Sequence, residues 1–186
     1  HDPYRAAMGG TYRGALDANG KLLAIEANIA GPSLGARFKL PPKIDPMMHA
    51  MGVTGEAYTI PNLQLSYTRL DVDLPFGIWR STMMSENGFF GETFIDELAA
   101  AGSRDRLEFR RELAAGDEQA LSTLDVLAEM FDFGPRKDAN RGWGLALTKG
   151  WETVVAAAMD VSLNDDGGIV VHDVAIALNA GTIVNP

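Results

Sequence analysis

The stretch Phe76-Gly-Ile-Trp-Arg-Ser-Thr-Met-Met-Ser-Glu-Asn-Gly-Phe-Phe-Gly91 places Trp79, Arg80 and Ser81 in a tight lead-in to a helical pattern. A helix start offers unpaired backbone N–H groups and the positive end of the helix dipole, which suit an anion. Arg80 adds a charge-assisted donor for a phosphate or oxo group. A second reading stands level with this one, in which Trp79 packs in a core and Arg80 pairs with a carboxylate. Further along the same helix, Glu92 and Asp96 share a face at i, i+4 beside Glu97, the arrangement acid–base chemistry would need. Nothing in the residues raises them above a solvated helix surface, which is the reading expected of them.

Other chemistries find little support. There is no Gly-x-Ser-x-Gly elbow, and nothing pairs Ser81 with a histidine. His1, His49 and His172 are scattered without metal-ligand spacing, and His172 reads as a core histidine bonded to a neighbour. Asn164-Asp-Asp-Gly-Gly168 lacks the closing glutamate of a calcium loop and reads as a turn. Gly144-Leu-Ala-Leu-Thr-Lys-Gly150 has no Gly-Lys-Ser/Thr, and Gly9, Gly10 and Gly14 do not form a dinucleotide fingerprint.

The bulk of the chain narrows the partners. A formal charge of -9 over 186 residues repels phosphate backbones, and Pro135-Arg-Lys137 is too short to offset it. The absence of cysteine excludes thiolate metal sites, iron–sulfur ligation by these residues and cysteine nucleophiles. No apolar run approaches the roughly 20 residues of a membrane-spanning helix. With 46% apolar and 22% charged residues the chain can bury a core without metal or disulfide staples.

The elements that must position these groups follow from periodicity. Residues 4–30 predict a β-hairpin turning at Asp17-Ala-Asn-Gly20, with Leu23, Ile25, Ala27 and Ile29 on one face. Residues 31–57 are broken by prolines, with Met47, Met48 and Met51 as an apolar turn or gap filler, and 58–74 read as extended. A helix is expected over 85–101, capped by Ser85, striped by Phe90, Phe94 and Leu98, and ended by Gly102. A second starts at Asp105 with Glu108 completing a capping box. A third starts at Asp117, striped by Leu121, Leu124, Ala128 and Phe131 and stopped by Gly134-Pro135. Val155, Ala157, Met159, Val161 and Leu163 alternate into the Asn164–Gly168 turn, and Val170, His172, Val174, Ile176 and Leu178 alternate out of it. The fold class is α+β: two β-hairpin or sheet blocks, 1–74 and 135–186, flank a three-helix segment at 75–134. The three blocks are read as one partial domain. Asn185-Pro186 is how a helix often begins, so the chain is expected to be a piece cut from a longer one.

The string from Trp79 through Glu92-Thr-Phe-Ile-Asp-Glu-Leu-Ala99 to Asp105-Arg-Leu-Glu-Phe-Arg-Arg-Glu-Leu113 resembles the molybdopterin-binding subunit of the xanthine dehydrogenase and aldehyde oxidase family. The nearest branch looks like the isoquinoline 1-oxidoreductase β-subunit type, which includes membrane-associated aldehyde dehydrogenases. Arg141-Gly-Trp-Gly-Leu-Ala146, the hairpin through Gly167-Gly168 and Gly181-Thr-Ile-Val-Asn-Pro186 are similar to that branch's second strand block, and His1-Asp-Pro-Tyr-Arg5 fits as well. The chain departs from the pattern where Arg106 replaces a usual Pro, Met83 a usual Gly, and Asn179-Ala-Gly181 a frequent Asp-Cys-Gly.

The resemblance implies a fragment of a bacterial molybdenum hydroxylase large subunit. Its parent would hydroxylate an aldehyde or N-heterocycle with molybdenum and molybdopterin cytosine dinucleotide, and pass electrons to a partner Fe–S subunit. It also implies that Trp79, Arg80, Ser81, Thr82 and Met83 are cofactor-binding. No catalytic residue is expected here, because the family's base, in a Gly-x-Gly-Glu motif, is not among these residues. A glycine-rich cofactor segment is likewise missing, so the fragment is expected to bind no cofactor and to be inactive alone. A cofactor-less homologue and a stand-alone binding or assembly domain are the alternatives. The parent is expected in the periplasm or cytoplasm.

Overall fold

The structure is a computed structural model, and it describes residues 4–41, 45, 49–54 and 56–185. Met47, Met48, the first three residues and Pro186 lie outside the described residues, and so do the expectations placed on them. The chain divides into two compact units, residues 1–55 with 60–103 and residues 56–59 with 104–186.

The first unit is built on a three-stranded sheet, β1 (Gly9–Leu16), β2 (Leu22–Gly31) and β3 (Leu63–Arg69), in the order β1-β2-β3. The predicted hairpin forms. Asp17 Oδ1 accepts from Asn19 N and Lys21 N at 2.8 and 2.9 Å, and Gly20 takes φ 75°, which costs glycine nothing. β1 and β2 are antiparallel, with a register shift at Ala15/Leu16. The shift turns Leu23 outward and Leu22 inward, so the buried stripe of β2 is Leu22, Ile25, Ala27 and Ile29. β3 joins β2 in parallel, Ile25 opposite Leu63 through Gly31 opposite Arg69, a pairing that needs the long connection between them. That connection contains α1 (Leu34–Phe38), a short helix in the stretch read as irregular, capped by Ser33 Oγ accepting from Ala36 N at 2.8 Å.

α2 (Met84–Ala101) lies on this sheet. Its predicted stripe meets the small residues of β1. Phe94 packs on Tyr12 at 5.2 Å between ring centroids, and a Cβ at Gly14 would stand 2.6 Å from Leu98 Cδ2. Glycine at position 14 thus gives the Leu98 side chain room, and a Cβ there would make that side chain shift. The opposite side of α2 touches the 49–54 segment equally closely, since a Cβ at Gly91 would stand 2.5 Å from the Val53 carbonyl oxygen.

The second unit has α3 (Arg106–Leu113), α4 (Glu118–Met130) and an antiparallel meander of β4 (Arg141–Gly150), β5 (Thr153–Leu163) and β6 (Ile169–Asn179). Asp105 caps α3 through Leu107 N and Glu108 N, both at 2.9 Å, while the Glu108 carboxylate is taken by Arg111. Arg106 stands at the first helical position, where proline is well tolerated, and instead donates from Nη1 to the Trp143 carbonyl at 3.0 Å. Asp117 caps α4. The face α4 buries is Ala120, Thr123, Leu124 and Leu127, rotated from the expected stripe toward Leu127.

That face rests on the alanine side of the sheet: Val154, Ala156 and Ala158 of β5 with Ala175 and Ala177 of β6, all buried. The bulky alternation expected to be buried lies on the other side. Met159, Leu163, Val174, Ile176 and Leu178 are all at least 43% exposed. Small side chains let a helix approach a sheet closely, so four alanines together with Val154 mark the buried face here. His172 lies at the register shift opposite Asp160/Val161. It is exposed, with Nε2 2.8 Å from Ser162 Oγ, and so is bonded to a neighbour but is not in the core. The α+β class with two sheet blocks around a helical segment is as the sequence implies.

Candidate functional site

The segment 75–83 leads into α2 and is held from two sides within the first unit. Tyr4 forms a parallel bridge with Phe76, with Tyr4 N to Pro75 O at 2.8 Å and Gly77 N to Tyr4 O at 3.0 Å. Arg37 Nε donates to the Phe76 carbonyl at 3.2 Å. Arg5 Nη1 donates to the Arg80 carbonyl at 3.0 Å and to Ser85 Oγ at 2.9 Å, with its guanidinium 5.6 Å from the centre of the Trp79 ring. Thr82 Oγ1 donates to the Trp79 carbonyl at 2.8 Å.

The entry into the helix differs from the sequence expectation. Ser85 is inside α2 and is not its cap. Met83 holds the cap position with φ 60°, no side chain caps the helix, and the N–H groups of Met84 and Ser85 both donate to the Ser81 carbonyl. Two of the helix's free donors are therefore used within the loop, and Glu86 in the first turn already complements the dipole. The anion-binding capacity that remains belongs mainly to Arg80. Its side chain is exposed and makes no ion pair or hydrogen bond among the described residues. Trp79 is 45% exposed. The reading in which Trp79 is core and Arg80 is paired is thereby set aside.

Ser81, at φ 65°, and Met83 both lie in the left-handed region, where a residue with a Cβ is strained and glycine is not. Met83 turns its side chain inward, 3% exposed, against Ala6 and Leu34. The long side chain thus does not occupy the open side of the loop.

Beneath the loop, Asn87 of α2 ties it to the 49–53 segment. Asn87 Nδ2 donates to the carbonyls of His49 and Met51, both at 2.8 Å, and Asn87 N donates to the Met83 carbonyl at 2.9 Å. Asp45 Oδ2 accepts from Ser33 Oγ at 2.5 Å, and its Oδ1 accepts from Gly35 N at 2.7 Å. None of Ser33, Asp45, His49 or Asn87 stood out in the sequence. A histidine and an aspartate in a proline-rich stretch carry no periodic signal.

The remaining candidates disperse. Glu92 is buried, contrary to the solvated helix face expected, whereas Glu97 is exposed. Gly144–Gly150 is strand β4, and Lys149 is paired with Asp117. Asn164–Gly168 is a turn, with Gly167 at φ 77° and Asn164 Oδ1 accepting from Gly168 N at 2.6 Å. No group of three side chains that could hold a metal occurs among the described residues. In the second unit, a cleft of about 450 Å³ borders Asp160, Arg136, Arg141 and Asp173, and a smaller one of about 180 Å³ lies beside Asn179–Gly181. Gln119 Nε2 steadies the latter by donating to the Glu152 and Asn179 carbonyls at 2.8 and 3.1 Å.

No family model matches the chain. It is 27% identical over 202 aligned positions to a subunit of the nicotinate dehydrogenase of Pseudomonas putida, an alignment covering 93% of this chain and 17% of that protein. Its fold matches aldehyde oxidoreductase from Desulfovibrio gigas with a TM-score of 0.58 at 20% identity, covering 90% of this chain and 21% of that one. It also matches aldehyde oxidoreductase from Desulfovibrio desulfuricans (0.57, 23% identity, 90% and 21%) and quinoline 2-oxidoreductase from Pseudomonas putida (0.57, 17%, 90% and 26%). The chain spans less than a fifth of the length of the curated relative. It has the fold of about a fifth to a quarter of an aldehyde oxidoreductase or quinoline 2-oxidoreductase chain.

Proposed function

We propose that these residues are a segment of the large subunit of a bacterial molybdenum hydroxylase, of the isoquinoline 1-oxidoreductase type, whose whole protein oxidises an aldehyde or N-heterocycle. The observation that carries the reading is the exposed, braced Trp79–Arg80–Ser81 loop in a chain alike over 93% of its length to part of a dehydrogenase. The loop fits one side of an anionic cofactor. Arg80 presents a guanidinium that pairs with none of the described residues, Trp79 is partly exposed beside the Arg5 guanidinium, and Met83 is folded away. Arg80 would bind a phosphate or oxo group, Ser81 and Thr82 would line the same side, and Arg5 and Asn87 would hold the loop in place. Molybdenum with molybdopterin cytosine dinucleotide would supply the redox chemistry when bound, and an Fe–S subunit would take the electrons. A carboxylate base would come from polypeptide outside these residues. Alone, the 186 residues give a cofactor one wall only and are inactive.

The test is the genomic locus. The expected result is a reading frame that includes a Gly-x-Gly-Glu motif beyond these residues, beside a gene for an Fe–S subunit. A locus encoding these 186 residues alone, with no such neighbour, would favour a stand-alone binding domain instead.

A further inference from the structure

His49 is 1% exposed, and neither ring nitrogen has a hydrogen-bond partner among the described residues. Its ring stacks on Tyr67 of β3 with centroids 4.0 Å apart and planes 10° apart. A buried imidazole with both nitrogens unbonded is costly, and native structures hold few. Its own carbonyl is held by Asn87, whose Oδ1 is also buried without a partner among the described residues. A Cβ at Gly31 would be in ordinary contact with His49 Cε1 at 3.5 Å, and one at Gly52, φ 75°, would stand 3.2 Å from Met84 Cα. The ring, the 49–53 segment and the first turn of α2 therefore pack against one another.

We propose that His49 and Asn87 form an acid-sensitive latch on the Trp79–Met83 loop. With the imidazole neutral, the ring stays stacked, the His49 and Met51 carbonyls stay on Asn87, and Asn87 N holds the Met83 carbonyl. A proton on the ring places a cation in a buried site where, among the described residues, neither nitrogen is hydrogen-bonded and only Asp45 and the Pro32 carbonyl favour the charge. The groups facing it are Asp45, whose two oxygens are already engaged by Ser33 and Gly35, the Tyr67 phenol, which donates to the Gly31 carbonyl at 3.0 Å, and the uncharged Asn87. Arg69 at the end of β3 and Asp71 beyond it also act on Tyr67.

Burial is the largest influence and lowers the proton affinity of His49; Asp45 and the Pro32 carbonyl partly oppose it. The folded state thus prefers neutral His49. Its contribution is complete above the ordinary imidazole value of about 6.5 and is lost as the pH falls through that value toward the lowered one. The ring then leaves its stack, and the loop loses its anchor.

The latch concerns the loop assigned above to the cofactor, but its test reads the polypeptide alone, so either idea can fail without the other. Amide exchange, corrected for intrinsic rates, is followed from pH 7.5 to 5 in the native protein and in His49→Phe, which keeps a ring to stack on Tyr67. Protection at 49–53 and 84–91 is expected to fall about tenfold per pH unit below the onset in the native protein and to stay level in the variant. Loss of protection equal in both proteins, or none in the native one, overturns the latch. Should His49→Phe not fold, the ring protons of native His49 decide by NMR. A midpoint below about 6.5 that coincides with the loss of protection supports the latch, and one at or above it overturns the latch.

Discussion

Arg141 forks onto Asp160: its Nε and Nη2 donate to the two carboxylate oxygens at 2.8 and 3.1 Å. The pair sits at the rim of the second sheet, where β4 meets β5, and Arg136 reaches the same carboxylate from the segment after α4. The hydrogen bonds from Arg141 hold the Asp160 carboxyl below the usual carboxylate range, against its burial and with help from Arg136. Because the folded-state value is lowered, this contribution is present above the ordinary carboxylate range and disappears as the pH falls through it.

Asp160→Asn is therefore expected to remove the carboxylate that two guanidiniums share, leaving Arg136 its weaker pair with Asp132, and to lower the thermal midpoint at pH 7. The gap from the native protein should narrow as the pH falls toward 3. A gap that does not depend on pH would show that charge is not what Asp160 contributes.

Asp117 both caps α4, accepting from Ala120 N at 3.0 Å, and pairs with Lys149 of β4. Burial raises its carboxyl, but the Lys149 and backbone hydrogen bonds outweigh burial and the net shift is downward. Asp117→Asn keeps a capping oxygen and loses the ion pair, whereas Asp117→Ala loses both. Denaturant unfolding should place the alanine variant about 1 kcal/mol below the asparagine variant. Equal stabilities would mean the cap contributes nothing.

Met83 sets two effects against each other. Its left-handed backbone costs about 1–2 kcal/mol, which glycine would relieve. Removing a buried methionine side chain costs about 2–5 kcal/mol. Met83→Gly is expected to destabilise the protein by roughly 2 kcal/mol, the difference between the middles of these ranges. A variant more stable than the native protein would show that the Met83 side chain is not packed against Ala6 and Leu34.

The outer face of the second sheet joins Met159, Leu163, Ile169, Val174, Ile176 and Leu178, with Gly142 and Gly144 open on β4. A contiguous apolar face of this kind binds hydrophobic dye and promotes association. The isolated chain is expected to bind anilinonaphthalene sulfonate in its folded state, and Ile176→Lys with Val174→Lys should remove most of that fluorescence. Unchanged fluorescence in the double variant would place the dye elsewhere.

What the sequence made legible was local. The Phe90, Phe94 and Leu98 stripe was readable because a helix repeats every 3.6 residues, and the Asp17–Gly20 and Asn164–Gly168 turns because their residues accept that backbone. The parallel seat of β3 was not readable, since nothing within Leu63–Arg69 names its distant partner. The face of β5 and β6 was misread because both faces are apolar, and the helix selects the one with small residues. The position of the Trp79–Met83 loop was readable, but the inward turn of Met83 was not. It depends on a positive φ that a methionine does not advertise. His49 and Asp45 were silent because their partners come from three separate segments.

The most direct measurement is molybdenum and cytosine nucleotide content of the protein purified from its native host, together with any polypeptide that continues or accompanies these residues. About one molybdenum and one cytosine nucleotide per large subunit are expected, falling sharply in Arg80→Ala, while the 186 residues expressed alone hold neither. Native protein free of both, or stoichiometric molybdenum on the 186 residues alone, would contradict the account.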